Sequence, residues 1–508
     1  MKTKLSHRNF LKIVAMVLVI SLLSACGNSG TSDGNQDSAN APVEKVVMSF
    51  LCFNVPSEEN IAHVEEAMNA ITREKIGVEV ELMIMDAASY GQQIPLMLAG
   101  DEQVDIFSGL ALSFSSLVSN GYLMDLEEND LISTYGQGIL DEMGSYVDGC
   151  RIDGVLYGLP QNRDMANING YAVASEYLDG IGWEYDPNEF NVITRDQLED
   201  MFAQLHEAYP EKVLMVCQPV ARTKVMCDYP GGDWFGVLMD PENSLELSDL
   251  FSTPEYLEVC KMFYEWNQKG YISPDALTDS TAAVSLVASG KGIAYCCGLK
   301  PGIIEQESSS NGRPTAMFML EEDNWALLPS STFANMPWCM NSNTKCPEAA
   351  MKLLNEFYIN AELSDILIYG VEGVDYVVNS EGLYTYPEGK TAADVYHPNV
   401  APFMPNEFIA GVWEGNAADV WEQTDEMNKK AIQSIASGFT FDNSNVIAEY
   451  TALNNVYEEY RYQIEYGFIE PEAGIAEMVE RMKSAGLDKY IAEKQAQLDA
   501  WAETVGLK

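Results

Sequence analysis

Between Val46 and Phe107 the apolar residues switch repeatedly between strand-like and helix-like spacing, and that alternation constrains the fold more than any other feature of the chain. Val46 to Leu51 is a nearly uninterrupted apolar run of strand length. Ser57, Glu58, Glu59 and Asn60 then make an acidic helix start, and Ile61, Val64, Met68 and Ile71 recur at helical spacing as far as Gly77. Val78, Val80, Leu82 and Ile84 alternate with polar neighbours as a strand does. A helix is predicted around Gln92 to Ala99, and Val104 to Phe107 forms another short strand. A β-α-β-α-β order implies right-handed crossovers onto a parallel sheet, with ligand groups in the loops at the carboxyl ends of its strands.

The same alternation continues with longer helices. Pro254 to Lys269 is amphipathic, with Tyr256, Val259, Cys260 and Phe263 on one face and Gly270 after its end. Strands are predicted at Gly292 to Cys297 and at Trp325 to Leu328. Pro347-Glu348 opens another helix, and the last third is mostly helical, ending with Leu487 to Ala502. A chain of 508 residues with 47% hydrophobic and 21% charged residues is too long for one small core and too apolar for disorder. Two or more packed lobes of α/β type are expected.

The first residues follow an export pattern: Lys2, Lys4, Arg8 and Lys12 precede an apolar run from Ile13 to Leu23, which is too short to span a bilayer comfortably. Leu23-Ser24-Ala25-Cys26 resembles the bacterial lipobox, so residues 1–25 read as a signal peptide and Cys26 as the lipidated residue. Residues 26–43, rich in Gly, Ser, Asn and Asp, read as a flexible tether. The protein is therefore expected on the outer face of the cytoplasmic membrane, anchored in the bilayer by lipid. A formal charge of −48 makes nucleic acid an improbable partner.

Besides Cys26 there are Cys52, Cys150, Cys217, Cys227, Cys260, Cys296, Cys297, Cys339 and Cys346, an odd set without CxxC spacing. It describes neither a disulfide framework nor a zinc site, and at most one disulfide, Cys217 with Cys227 across a loop, is a candidate. Asp125, Glu127, Asn129 and Asp130 fall short of a calcium loop, lacking its glycine and closing glutamate. No metal or cofactor is expected. GxSxG, HExxH, phosphate-loop and GxGxxG motifs are absent.

Four stretches resemble the extracellular solute-binding proteins of ABC importers, the family that includes maltose-binding protein. They are Gly100-Asp101-Glu102-Gln103-Val104-Asp105-Ile106, Gly121 to Leu126, Asp153-Gly154-Val155-Leu156-Tyr157-Gly158-Leu159-Pro160, and Asn343 to Asn355. Tyr369 to Tyr376 and Ala485 to Gln495 are similar to a larger Gram-positive lipoprotein subgroup. The crossover stretch departs from the family pattern at Val155, where a basic residue is usual. The resemblance implies a type II two-lobed fold, each lobe a mostly parallel sheet flanked by helices, with a helical C-terminal extension. It places lobe one at 44–157 plus 284–337 and lobe two at 158–283 plus 338–508, with crossovers near Leu159, Ala283 and Trp338. It implies a monomer that catalyses nothing, closes on a small solute and delivers it to permease subunits.

Trp- and Tyr-bearing loops on so large a scaffold favour an oligosaccharide, whose hydroxyls need fixed donors and acceptors and whose C–H faces pack on rings. Candidate ligand residues are Asn54 and Ser108 after the first strands, Gln161, Asn162 and Arg163 after the first crossover, and Asp228, Asp233 and Trp234 in a glycine-opened loop. Tyr295 and Trp338 complete the set, although for both, as for Glu372, a core position weighs more. Trp183, Trp266, Trp325 and Trp501 default to core. Two other readings stand at this point: a secreted glycoside hydrolase, for which two carboxylates suffice, and a receptor of the same fold that senses a sugar or peptide.

Overall fold

The computed structural model describes residues 43–100, 102–166, 168–216, 224–279 and 281–508. The signal, most of the tether, Cys26 and Cys217 lie outside them. The eight cysteines described are all unpaired, and seven of them are buried.

Two larger sheets are built from β1 (Glu44–Cys52), β2 (Val78–Asp86), β3 (Ile106–Ser108), β4 (Ile168–Ala174), β5 (Phe190–Ile193), β6 (Val213–Val216), β7 (Gly292–Leu299), β8 (Thr315–Leu320) and β9 (Trp338–Met340). The first runs in the order β9-β3-β1-β2, with β1 parallel to both β2 and β3. Val46 lies beside Val80 and Met48 between Leu82 and Ile106, so the alternation read in the sequence sets the register. Helix α1 (Glu58–Ile76) starts where the Ser57 hydroxyl accepts from the Asn60 N–H and stops at Gly77, φ 70°. Helix α2 (Ala87–Ala99) begins earlier than predicted because the Asp86 carboxylate caps it through the N–H groups of Ala88 and Ser89.

The second sheet has the order β5-β8-β4-β7-β6. It is mixed rather than mostly parallel: β4 runs antiparallel to both β8 and β7, while β5 is parallel to β8 and β6 to β7. The reason is directional. β4 leaves the junction between the two sheets, whereas β7 and β8 run back towards it. In the first sheet β9, which also starts at the junction, is antiparallel to β3 for the same reason.

Each sheet has its own hydrophobic core, and their membership corrects the expected lobe boundaries. One core takes Val46 to Ala166 and then Leu328 to Ala410; the other takes Tyr171 to Leu320 and Ala436 to Ala502. Residues 284–337, assigned from the resemblance to lobe one, hold β7 and β8, central strands of the second sheet. Residues 338 to about 431, assigned to lobe two, pack with the first, through β9 and helix α4 (Pro347–Ile359), which follows α3 (Pro254–Gln268) of the second core. The chain thus changes core between Ala166 and Tyr171, between Leu320 and Leu328, and between Ala431 and Ala436. Ala283 is inside the second core and is no crossover. The last two passages pair, Leu327 beside Ile432 and Leu328 beside Gln433. Helix α5 (Val420–Lys430) precedes this junction, and α6 (Ile447–Glu465), α7 (Pro471–Ser484) and α8 (Leu487–Thr504) form the expected helical ending.

Candidate functional site

The strand ends that point towards the junction deliver its polar groups. Leu159 and Trp338 exchange backbone hydrogen bonds of 2.8 Å, which fixes the chain just before it leaves the first core. Gln161 is 3% exposed, and its amide donates to the Met336 carbonyl. Asn162 donates to Glu142 Oε1 at 3.0 Å and accepts from the Glu407 N–H at 2.9 Å. From α5, Asn428 holds the next residues by three bonds: its Nδ2 donates to the Arg163 carbonyl at 2.7 Å, and its Oδ1 accepts from the N–H groups of Met165 and Ala166 at 3.1 and 2.9 Å. The candidate ligand residues predicted after the first crossover are therefore split. Gln161 and Asn162 serve the wall, and Arg163 and Asp164 turn towards a cavity.

That cavity has a volume of about 620 Å³ and lies where the two cores meet. Arg163 and Asp164 form one side. Tyr229 and Trp234, with ring centroids 4.4 Å apart and planes inclined by 37°, form another. Lys300, directly after β7, faces them, and the passage from Trp325 to Asn335 closes the rim. The Tyr229–Trp234 loop turns tightly at Pro230-Gly231-Gly232, where both glycines have φ near 80°. A Cβ on Gly231 would stand 2.7 Å from that of Phe441. A smaller space of about 200 Å³ shares Gly232, Ser331 and Asn335 with this cavity and extends to Ser113 and Phe114 of the first core.

Asp164 is the electrostatic centre of the cavity wall. It accepts from Arg163 Nη1 at 3.3 Å and from the Lys300 ammonium. Glu407, 5% exposed, feels all three charges; burial first, then the Asp164 charge, push its carboxyl up to about 8 against the pull of Lys300 and Arg163.

Of the ten predicted ligand residues, Arg163 and Trp234 line this cavity. Asn54 is exposed but directs its amide to the His397 carbonyl at 2.7 Å. Ser108 is 1% exposed, and its carbonyl accepts from the buried Tyr90 hydroxyl. Asp228, fully buried, braces the junction by accepting from Ser330 N–H and the Ser434 hydroxyl at 3.0 and 2.6 Å. Asp233 spends both oxygens on Phe235 N–H, Lys494 and Tyr490. Tyr295 donates to Glu307 within the second core, and Trp338 donates to the Phe403 carbonyl within the first. In the acidic turn, Glu127 pairs with Arg151 at 2.7 Å.

Trp325, assigned to core by default, is half-buried and lines the cavity, as do Asn169 and the run Ser331-Thr332 with Asn335. The sequence signal for Ser331, Thr332 and Asn335 is a short polar stretch just before Trp338.

Two cored sheets joined by several chain passages, with a mixed aromatic and charged cavity at the joint, define a two-lobed ligand-capture protein. Residues 66–368 match the family of bacterial extracellular solute-binding proteins, and the chain belongs to that family. Residues 435–503 match a domain of unknown function, DUF3502. A carbohydrate ABC transporter substrate-binding protein of Streptococcus pneumoniae is 24% identical over 508 residues, 96% of either chain. The crystal structure of the N-glycan transport solute-binding protein NgtS from Streptococcus pneumoniae has the same fold, with TM-score 0.76 at 21% identity, over 91% of this chain and 99% of that one. Its complex with Man1GlcNAc gives 0.66 at 20% identity, over 91% and 100%. Among the described residues no helix is long and apolar enough to cross a membrane.

Proposed function

We propose that this protein captures an oligosaccharide in the cavity between its cores and hands it to an ABC permease, while lipid on Cys26 holds it at the outer face of the membrane. One observation carries the reading: three rings, Tyr229, Trp234 and Trp325, share a cavity of about 620 Å³ with Arg163, Asp164, Lys300 and Asn335. Rings suit the C–H faces of a sugar, and charged donors and acceptors suit its hydroxyls. The carbohydrate and N-glycan ligands named for the relatives support the same class. The site residues we assign are Arg163, Asp164, Tyr229, Trp234, Lys300 and Trp325. The lobes are the two cores, free to close about the passages at 166–171, 320–328 and 431–436.

Calorimetry against plant and host oligosaccharides tests this, with affinity expected near micromolar, about −8 kcal/mol. Sugar recovered intact supports capture. Cleaved sugar would replace it with hydrolysis, and peptide binding without sugar binding would make the protein a peptide receptor. Trp234→Ala should weaken sugar binding by more than about 1 kcal/mol through loss of ring stacking.

A further inference from the structure

The cavity wall runs against the composition of the chain. Asp and Glu number 77 against 29 Lys and Arg, for a formal charge of −48, so an excess of carboxylates is expected in a surface hollow. The groove beside α8 is one such, with Glu246, Asp249, Asp488 and Asp499 around Lys508. Among the described residues, the charged side chains of the cleft are instead Arg163, Lys300 and Asp164, two cations to one carboxylate. Each of the three is more than two-thirds buried, so their charges are weakly screened.

Asp164 cannot neutralise both partners. Its oxygens engage Arg163 Nη1 and Lys300 Nζ, and Arg163 Nη1 also donates to the Asp164 carbonyl at 2.7 Å. Among the described residues nothing takes up Arg163 Nε or Nη2, which form the other edge of the guanidinium fork, the edge that fits a carboxylate with two parallel bonds. Lys300 has further protons to donate. Glu407, whose carboxyl is pushed up to about 8 by burial, lies behind the wall and is not among the charged groups lining the cavity. A strongly negative protein repels anions everywhere except where its local charge is inverted, and here it is inverted inside the binding cavity.

We propose that the cleft is built for an acidic oligosaccharide, with the carboxylate of a uronic acid unit set against Arg163 and Lys300 and the uncharged part of the sugar against Tyr229, Trp234 and Trp325. The inference rests on the cleft being a sugar site. The test offers the full-length protein a mixture of uronate-containing oligosaccharides and the same mixture after chemical reduction of its carboxyl groups, identifies the retained species by mass spectrometry, and measures each by calorimetry. The acid form should bind at least tenfold tighter than its reduced partner. That preference should shrink several-fold in Lys300→Met, where Asp164 is left to cancel Arg163, and should fall as salt is raised. Equal affinity for acid and reduced forms, or a preference that Lys300→Met leaves intact, overturns the acidic assignment while the sugar reading stands. Retention of neither form by a protein that melts cooperatively overturns both.

Discussion

Replacing Lys494 with methionine tests how the ring-bearing loop is held. Lys494, on α8, is fully buried, and its ammonium donates to Asp233 Oδ1 at 2.8 Å. Burial outweighs the attraction of Asp233 and holds the ammonium below its usual pKa, so this pair survives only while both members are present. Removing the cation strands Asp233, 8% exposed, as a buried charge. Breaking such a pair costs about 3–5 kcal/mol. Asp233 keeps the Phe235 N–H at 2.8 Å and the Tyr490 hydroxyl at 2.7 Å, so the low end applies, ~3 kcal/mol. With an unfolding entropy of about 2 cal/mol/K per residue, the body from Val43 to Lys508 gains ~1 kcal/mol/K on melting. Scanning calorimetry should therefore show Tm lowered by about 3 °C if that body melts as one unit, and by about twice that if the second core melts alone. Adding Asp233→Asn removes the stranded charge and should restore at least ~1 kcal/mol. A loss below about 1 °C, or a double variant less stable than Lys494→Met, refutes the reasoning and returns Asp233 to the list of ligand contacts.

Glu407 has a folded pKa raised from 4.5 to about 8, so the folded state binds its proton more tightly than the unfolded state. Its contribution is then fully present below the unfolded value and is lost as pH rises towards the folded one. Glu407→Gln should flatten the decline of Tm between about pH 5 and pH 8, and parallel melting curves for the two proteins would contradict it. Asn428→Ala removes three bonds to the passage carrying Arg163. It should cost about 1–3 kcal/mol of stability by denaturant titration and weaken sugar binding as well. Unchanged binding would mean that Arg163 is positioned by something else.

Much of the fold was legible because it depends on local spacing. Ser57, Gly77 and the alternation from Val78 to Ile84 specify α1 and β2 through hydrogen bonds and contacts made within a few residues. The family was legible too, since its motifs, from Gly100 through the Asn343 helix, are contiguous. The site was only half legible. Sequence order placed loops at the junction, but Arg163 and Gln161, two residues apart, point into different surroundings because Asn428 and Met336, far along the chain, hold them there.

What the sequence alone determined is the set of elements and their order, because period and capping are local properties. Which core each segment joins was decided only by tertiary packing. The strands β7 and β8 carry patterns that suit either sheet, and only their pairing with β4 commits residues 284–320 to the second core. The same holds for charge: composition counts carboxylates, but the gathering of Arg163, Lys300 and a buried Glu407 around one aspartate is made by residues up to 244 positions apart, brought together when the passages between the cores converge.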